Sequence, residues 1–230
     1  MFRFKQFFID DKRSAMKVGT DGVLLGAWAT CLPEEDGKMP RIVDIGCGCG
    51  LITLMMAQRF PGTHVTGIDI DASSVEDART NIAVSPFADR IDLIHADFLT
   101  LPPVHESVFY VCNPPFYTED TVAPDQRRAT ARHHSSLPLN SLVTYIKGSS
   151  LSIILPAQQE SSFLSLCHSN GMHLSRICHV RTTEKKEPKR VMMEVTSAAV
   201  ENIERTTLTL MTSDGKRSEE YASLCRDFYL

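Results

Sequence analysis

Arg41-Ile42-Val43-Asp44-Ile45-Gly46-Cys47-Gly48-Cys49-Gly50-Leu51-Ile52-Thr53-Leu54-Met55 reads as a strand, a glycine turn and the start of a helix. Residues 41–45 form a short apolar run with one internal acid, the pattern of a buried strand. Three glycines at alternate positions let the chain turn tightly and bring bare backbone N–H groups up to a ligand. Beyond them, Leu51, Leu54 and Met55 fall at helical spacing, and Pro61-Gly62 ends the run. A dinucleotide turn of the form G-x-G-x-x-G needs a small residue where Leu51 stands, which weakens a nicotinamide reading.

Working outward, the same alternation continues. Residues 64–69 predict a second strand, and Ser73 or Ser74 can cap a helix running to about residue 84 before Ser85-Pro86. Residues 91–95 and 108–112 predict two more strands. A long polar stretch, 118–138, precedes a helix over 139–147, a strand over 151–155 and a helix over 161–170 closed by Gly171. Then the period changes. Residues 172–182 and 190–196 are both β-rich and are joined by Glu184-Lys185-Lys186-Glu187-Pro188-Lys189, which predicts an antiparallel hairpin. Residues 206–211 predict one more strand. Strands alternating with helices imply an α/β fold, a mostly parallel sheet with crossovers to which the C-terminal hairpin is added.

The totals narrow the class. At 230 residues with 43% hydrophobic side chains, the chain can build one sizeable core. No apolar run is long enough to span a bilayer, and Met1-Phe2-Arg3-Phe4-Lys5-Gln6 lacks the pattern of a secretory signal. Seven cysteines, an odd number with two inside the glycine turn, predict free thiols and a cytoplasmic setting. Cys47 and Cys49 have no second pair at ligand spacing, so no metal is expected. A net charge of -4 gives no global attraction to nucleic acid. Any RNA binding must come from local basic segments. Two exist: Arg127, Arg128 and Arg132 with His133 and His134, and Lys185, Lys186, Lys189 and Arg190 in the hairpin. Beside an active-site mouth they would reach phosphates; otherwise they are solvated charges.

Two further features carry chemistry. Asp69, at the end of the second strand, can accept both hydroxyls of a ribose, while Asp71 reads as a helix-start charge. Val111-Cys112 runs into Asn113-Pro114-Pro115-Phe116-Tyr117. Two prolines fix φ and remove two donors, giving a rigid loop at a strand's end, where ligands bind in open α/β sheets. The Asn113 side-chain oxygen and the Pro114 carbonyl can accept both hydrogens of one –NH₂ group, which aims its lone pair for in-line attack. Phe116 or Tyr117 offers a ring to stack a flipped base.

The spacing of Asp44, Gly46, Gly48 and Gly50 resembles the cofactor turn of S-adenosylmethionine-dependent methyltransferases, whose fold is Rossmann-like class I. That resemblance implies Asp44 near the cofactor's methionine ammonium. It implies Asp97 accepting from the adenine amino group, with Phe98 packing on the ring. The Asn-Pro-Pro-aromatic motif is characteristic of amino methylation on adenine, cytosine, guanine or a glutamine amide.

Four regions together resemble the bacterial tRNA1(Val) adenine-N6 methyltransferases. They are residues 8–28, containing Met16-Lys17-Val18-Gly19-Thr20-Asp21-Gly22, then the glycine turn, the Asn113 motif, and the hairpin ending Pro188-Lys189-Arg190-Val191 with Tyr229 near the end. The resemblance implies one domain over 1–230: a preamble (1–40) packing on the cofactor site, a core (41–200) and a C-terminal strand and helix (201–230). It implies Lys17 and Thr20 against the cofactor, and Asn113, Pro114, Pro115 and Phe116 as the catalytic set. The implied partner is a tRNA anticodon stem-loop, contacted through Tyr117 and the two basic segments, with no membrane and no obligate protein partner. Rival readings are amino methylation of rRNA, DNA or a protein glutamine, and a non-catalytic module binding cofactor or RNA.

Overall fold

The computed structural model describes residues 1–33, 37–102, 107–115 and 137–229. Strands β1 (Phe2–Arg3) and β2 (Phe8–Ile9) pair as a small antiparallel ribbon, followed by α1 (Thr20–Trp28). The alternation then runs β3 (Arg41–Ile45), α2 (Leu51–Arg59), β4 (Val65–Asp69), α3 (Ala72–Ala83), β5 (Ile91–His95) and β6 (Val108–Cys112). After the motif come α4 (Leu139–Tyr145), β7 (Ser150–Pro156), α5 (Glu160–Ser169), β8 (His173–Arg181), β9 (Arg190–Thr196), β10 (Glu204–Thr209) and α6 (Glu219–Leu224).

Among the described residues the main sheet has eight strands in the order β10-β8-β9-β7-β6-β3-β4-β5. Strands β5, β4, β3, β6 and β7 are parallel neighbours, and β9 pairs antiparallel with both β7 and β8. The expected hairpin is therefore present, but it enters the sheet through its second strand. The last strand begins earlier than its apolar residues suggest, because β10 pairs parallel to β8 from Glu204 opposite Arg176. Helix α3 is capped by Asp71 rather than Ser73 or Ser74: the Asp71 carboxylate accepts from the Ser74 N–H at 2.8 Å and from its hydroxyl at 2.7 Å. An aspartate one turn earlier satisfies the same orphan donor and also complements the helix dipole.

The β6 side chains alternate between two cores. Phe109 and Val111 join the core beneath α1 and α2, while Val108, Tyr110 and Cys112 join the one beneath α4 and α5. A strand covered on both faces is apolar throughout. The chain ends belong to the first core: Phe4, Phe7, Trp28, Tyr221 and Phe228 are all buried there. Strand order reverses at β3 and β6, since the chain builds outward through β4 and β5 and then returns. Asp44 pairs with Val111 and Ile45 with Cys112, so Gly46 and Asn113 leave the sheet side by side at the switch point. Ligands bind in this crevice of open α/β sheets.

Candidate active site

The glycine turn is built by left-handed backbone. Gly46, Gly48 and Gly50 have φ of 71°, 55° and 83°, which L side chains seldom adopt. Gly46 and Cys47 N–H groups donate to the Ile68 carbonyl at 2.8 and 3.0 Å, locking the turn against β4. A Cβ at Gly46 or Gly48 would meet nothing within 4 Å, so the turn faces open space. Burial pushes the Cys47 thiol well up and the Cys49 thiol up to about 12, so both stay neutral packing groups. Among the described residues no three His, Cys, Asp or Glu side chains gather as metal ligands.

Asp44 is fully buried. Its Oδ2 accepts from the Thr53 hydroxyl at 2.6 Å, whereas its Oδ1 has no partner among the described residues. Burial pushes its pKa up to about 7, partly offset by the Thr53 hydrogen bonds. Asp69 accepts from the Gly48 N–H and the Asp71 N–H, both at 2.8 Å. Burial also raises its pKa. A carboxylate oxygen has room for a second donor, so each remains open to a hydroxyl. Asp97, just past β5, is half-buried and accepts from the Leu99 N–H at 3.0 Å. The Phe98 ring is in the second core, 4.4 Å from Tyr145 and 5.7 Å from Tyr110 by ring centroids. The ring is 6% exposed and packs beside both tyrosines, one residue past Asp97.

Asn113 follows β6 directly. Its Oδ1 is buried without a partner among the described residues, and its Nδ2 lies 3.9 Å from the Met16 sulfur. Pro114 is buried behind it and Pro115 half-buried. A Cβ on Gly22 would come 3.7 Å from Nδ2 and 3.1 Å from Leu51, so α1 abuts the motif at a glycine. Phe116, Tyr117, Arg127, Arg128, Arg132, His133 and His134 lie outside the described residues.

The preamble reaches the site as a strap over residues 10–18. The buried Asp77 carboxylate on α3 accepts from Arg13 N–H at 2.7 Å, Ser14 N–H at 2.8 Å and Ser14 hydroxyl at 3.0 Å. Asn81 donates to the carbonyls of Asp10 and Cys49, both at 2.9 Å, joining strap and glycine turn. Asp11 accepts from the Val18 N–H at 2.9 Å. Sequence reasoning missed Met16, Asp77 and Asn81. The available signal was Ser74, Asp77 and Asn81 repeating at helical spacing beside Val75, Ala78 and Ile82, a polar stripe along a core-facing helix. The Lys17 ammonium donates to the Asp11 and Lys12 carbonyls at 2.5 and 3.0 Å, closing the strap on itself. Thr20 opens α1, two residues before Gly22.

Arg190 is likewise tied down, 2.8 Å from the Asp21 carboxylate on α1. Lys185, Lys186 and Lys189 are exposed on the hairpin turn. Because Arg190 pairs with Pro156 at the C-terminal end of β7, that turn leaves the same sheet edge as Asn113.

A family model for the methyltransferase small domain matches residues 25–132. A tRNA1(Val) (adenine(37)-N6)-methyltransferase of Vibrio campbellii is 38% identical over 234 residues, covering 100% of this chain and 95% of that protein. One from Aliivibrio fischeri is 38% identical, covering 100% of this chain and 97% of its own. The chain belongs to the tRNA1(Val) (adenine(37)-N6)-methyltransferase family. Solved structures agree on the fold of this family member. A predicted O-methyltransferase from Agrobacterium tumefaciens superposes with a TM-score of 0.66 at 16% identity, covering 90% of this chain and 96% of that one. A class I S-adenosylmethionine-dependent methyltransferase from Listeria monocytogenes gives 0.53 at 16% identity, covering 82% and 62%.

The residues present fit S-adenosylmethionine. The orphaned Asp44 Oδ1 is a buried acceptor of the kind an ammonium satisfies. Asp69 retains acceptor capacity for a diol, and the open turn at Gly46 and Gly48 lets a ligand approach the backbone.

Proposed function

We propose that this protein methylates the N6 amino group of adenine 37 in tRNA1(Val), using S-adenosylmethionine. The single observation that carries the chemistry is the Asn113 Oδ1, a buried acceptor with no partner among the described residues, beside the glycine turn. A buried, unsatisfied acceptor costs about 1–3 kcal/mol, so the site favours a ligand that donates to it. An adenine amino group does so. The Pro114 carbonyl takes the second N–H, which restrains the nitrogen and aims its lone pair. S-adenosylmethionine supplies an electrophilic methyl carbon on a sulfonium. Asp44 would hold the ammonium of the donor's amino acid end, and Asp69 its ribose hydroxyls. The N–CH3 bond would form as the S–CH3 bond breaks, its electron pair leaving on sulfur as a neutral thioether, and the nitrogen would shed one proton to water; positioning and electrostatics carry the rate.

The tRNA would approach along the sheet edge bearing Lys185, Lys186 and Lys189, with a splayed-out loop adenine entering beside Asn113. Arg127, Arg128 and Arg132 and the stacking rings of Phe116 and Tyr117 complete this reading from the sequence. It places the protein in the cytoplasm with tRNA as its partner. Labelled S-adenosylmethionine is offered to total tRNA from a strain lacking this protein, followed by nucleoside analysis. Label in N6-methyladenosine at position 37 is the expected result. Label absent from tRNA but present in rRNA, DNA or protein would overturn the substrate.

A further inference from the structure

We propose that Met16 is a positioning residue that sets which way the Asn113 amide points, and thereby selects a hydrogen-donating target. An asparagine amide has two ends of nearly equal shape and opposite hydrogen-bonding sense. Only with Oδ1 facing the target can Asn113 accept from an amino group; turned over, it would present a donor and favour a carbonyl. Something must decide between the two.

The Met16 sulfur lies 3.9 Å from Nδ2. A thioether accepts weakly and cannot donate, so it satisfies the NH₂ end and leaves the oxygen end for the target. On the same side, Gly22 offers no side chain, and even a Cβ there would stand 3.7 Å from Nδ2. The sulfur is held in place by the strap: Ser14, two residues before it, is fastened to the 3% exposed Asp77, and Val18, two residues after it, to Asp11. Met16 itself is 42% exposed, although large and apolar. Core packing therefore does not dictate a methionine here. The inference rests on Asn113 as the amino clamp.

The test compares Met16→Leu and Met16→Glu in the full chain, with kcat, KM for tRNA and S-adenosylmethionine affinity measured for each. Leucine keeps the bulk and removes the acceptor. Ionised glutamate restores an acceptor that cannot donate, at similar length. Weak hydrogen bonds of this kind contribute on the order of a kcal/mol, so Met16→Leu should lower kcat about three- to tenfold. Its cofactor affinity should be unchanged, and Met16→Glu should recover kcat above the Met16→Leu value. Equal kcat in Met16→Leu and the parent overturns the inference, as does a Met16→Glu enzyme no better than Met16→Leu. Full turnover by Asn113→Ala would instead remove the clamp reading beneath it, so the two failures are distinguishable.

Discussion

The Arg190 guanidinium meets the Asp21 carboxylate at 2.8 Å, linking the basic hairpin to the N-terminal turn of α1, whose next residue abuts Asn113. Arg190 therefore has a protein partner, while Lys185, Lys186 and Lys189 are exposed on the same turn. These roles separate by salt dependence. Replacing each lysine with alanine should weaken tRNA binding and reduce the slope of log affinity against log salt by about 0.7–0.9. Arg190→Ala should leave the slope nearly unchanged, lower kcat, and lower Tm by about 1–3 °C, the scale of a partly exposed ion pair. Salt titrations of tRNA binding check both. A slope change for Arg190→Ala as large as for the lysines would make it a phosphate contact.

Asp44 makes cofactor binding depend on pH. An unfolded aspartate ionises near pH 4, whereas burial holds the folded group protonated up to about 7. Between those values the unfolded state binds fewer protons. Stability of the free protein should therefore fall as pH rises through that window and level off above it. The cofactor's ammonium, placed at the unpartnered Oδ1, favours the carboxylate. S-adenosylmethionine affinity should thus rise with pH through about 7, with release of up to one proton. Calorimetry in buffers of different ionisation enthalpy measures that proton directly. Asp44→Asn should lose about 10- to 100-fold in affinity, the scale of a hydrogen bond to a charged group, and lose the pH dependence. A pH-dependent variant would locate the proton elsewhere.

Helices α1 and α2 meet at Gly26, where an added Cβ would stand 2.7 Å from the Met55 sulfur and 3.1 Å from its Cβ. In an isolated helix, alanine is favoured over glycine by about 1 kcal/mol. Here overpacking against the fully buried Met55 opposes that preference, at about 1–3 kcal/mol. Gly26→Ala should lower Tm by a few degrees in a thermal melt. A higher Tm would mean that Met55 can move aside and that the contact is not tight.

The strand–turn–helix stretch was legible because it depends on local rules: an apolar strand, glycines at positive φ, and a helix period. The places of Asn113 and Asp44 at the C-terminal ends of two strands were legible for a related reason, since those strand ends follow from that pattern. What escaped was non-local. Asp77 reads as an ordinary helix-surface acid until the strap folds over it, and its partners are 63 and 64 residues away in the chain. Lys17 and Arg190 have partners that were hidden for the same reason. Their charges are taken by the Asp11 and Lys12 carbonyls and by Asp21, contacts that only the tertiary fold creates. The packing of Phe98 beside Tyr110 and Tyr145 is likewise a contact that only the tertiary fold creates.

The strap gives Asp77 a function distinct from general stability. One of its oxygens accepts three donors from Arg13 and Ser14, and the other lies 3.2 Å from the Arg13 guanidinium. Removing that carboxylate leaves the buried Ser14 N–H and the part-buried Arg13 N–H without their acceptor, at about 1–3 kcal/mol for the buried group. The strap can avoid that cost by detaching, because its remaining ties to α3 are the Asn81 hydrogen bonds, a 3.4 Å contact from the Ala15 N–H to the Ser74 hydroxyl and a 4.0 Å ion pair of Arg13 with Glu76. Asp77→Ala should therefore increase amide exchange over residues 10–18 selectively, with the β3 and β6 amides staying protected. Since Met16 rides on the strap, kcat should fall more in Asp77→Ala than in Met16→Leu. Asp77→Asn keeps one acceptor and should be intermediate. Hydrogen exchange with mass spectrometry, alongside turnover, tests the order. Uniform loss of protection across the sheet would mean that Asp77 supports the whole fold and not the strap alone.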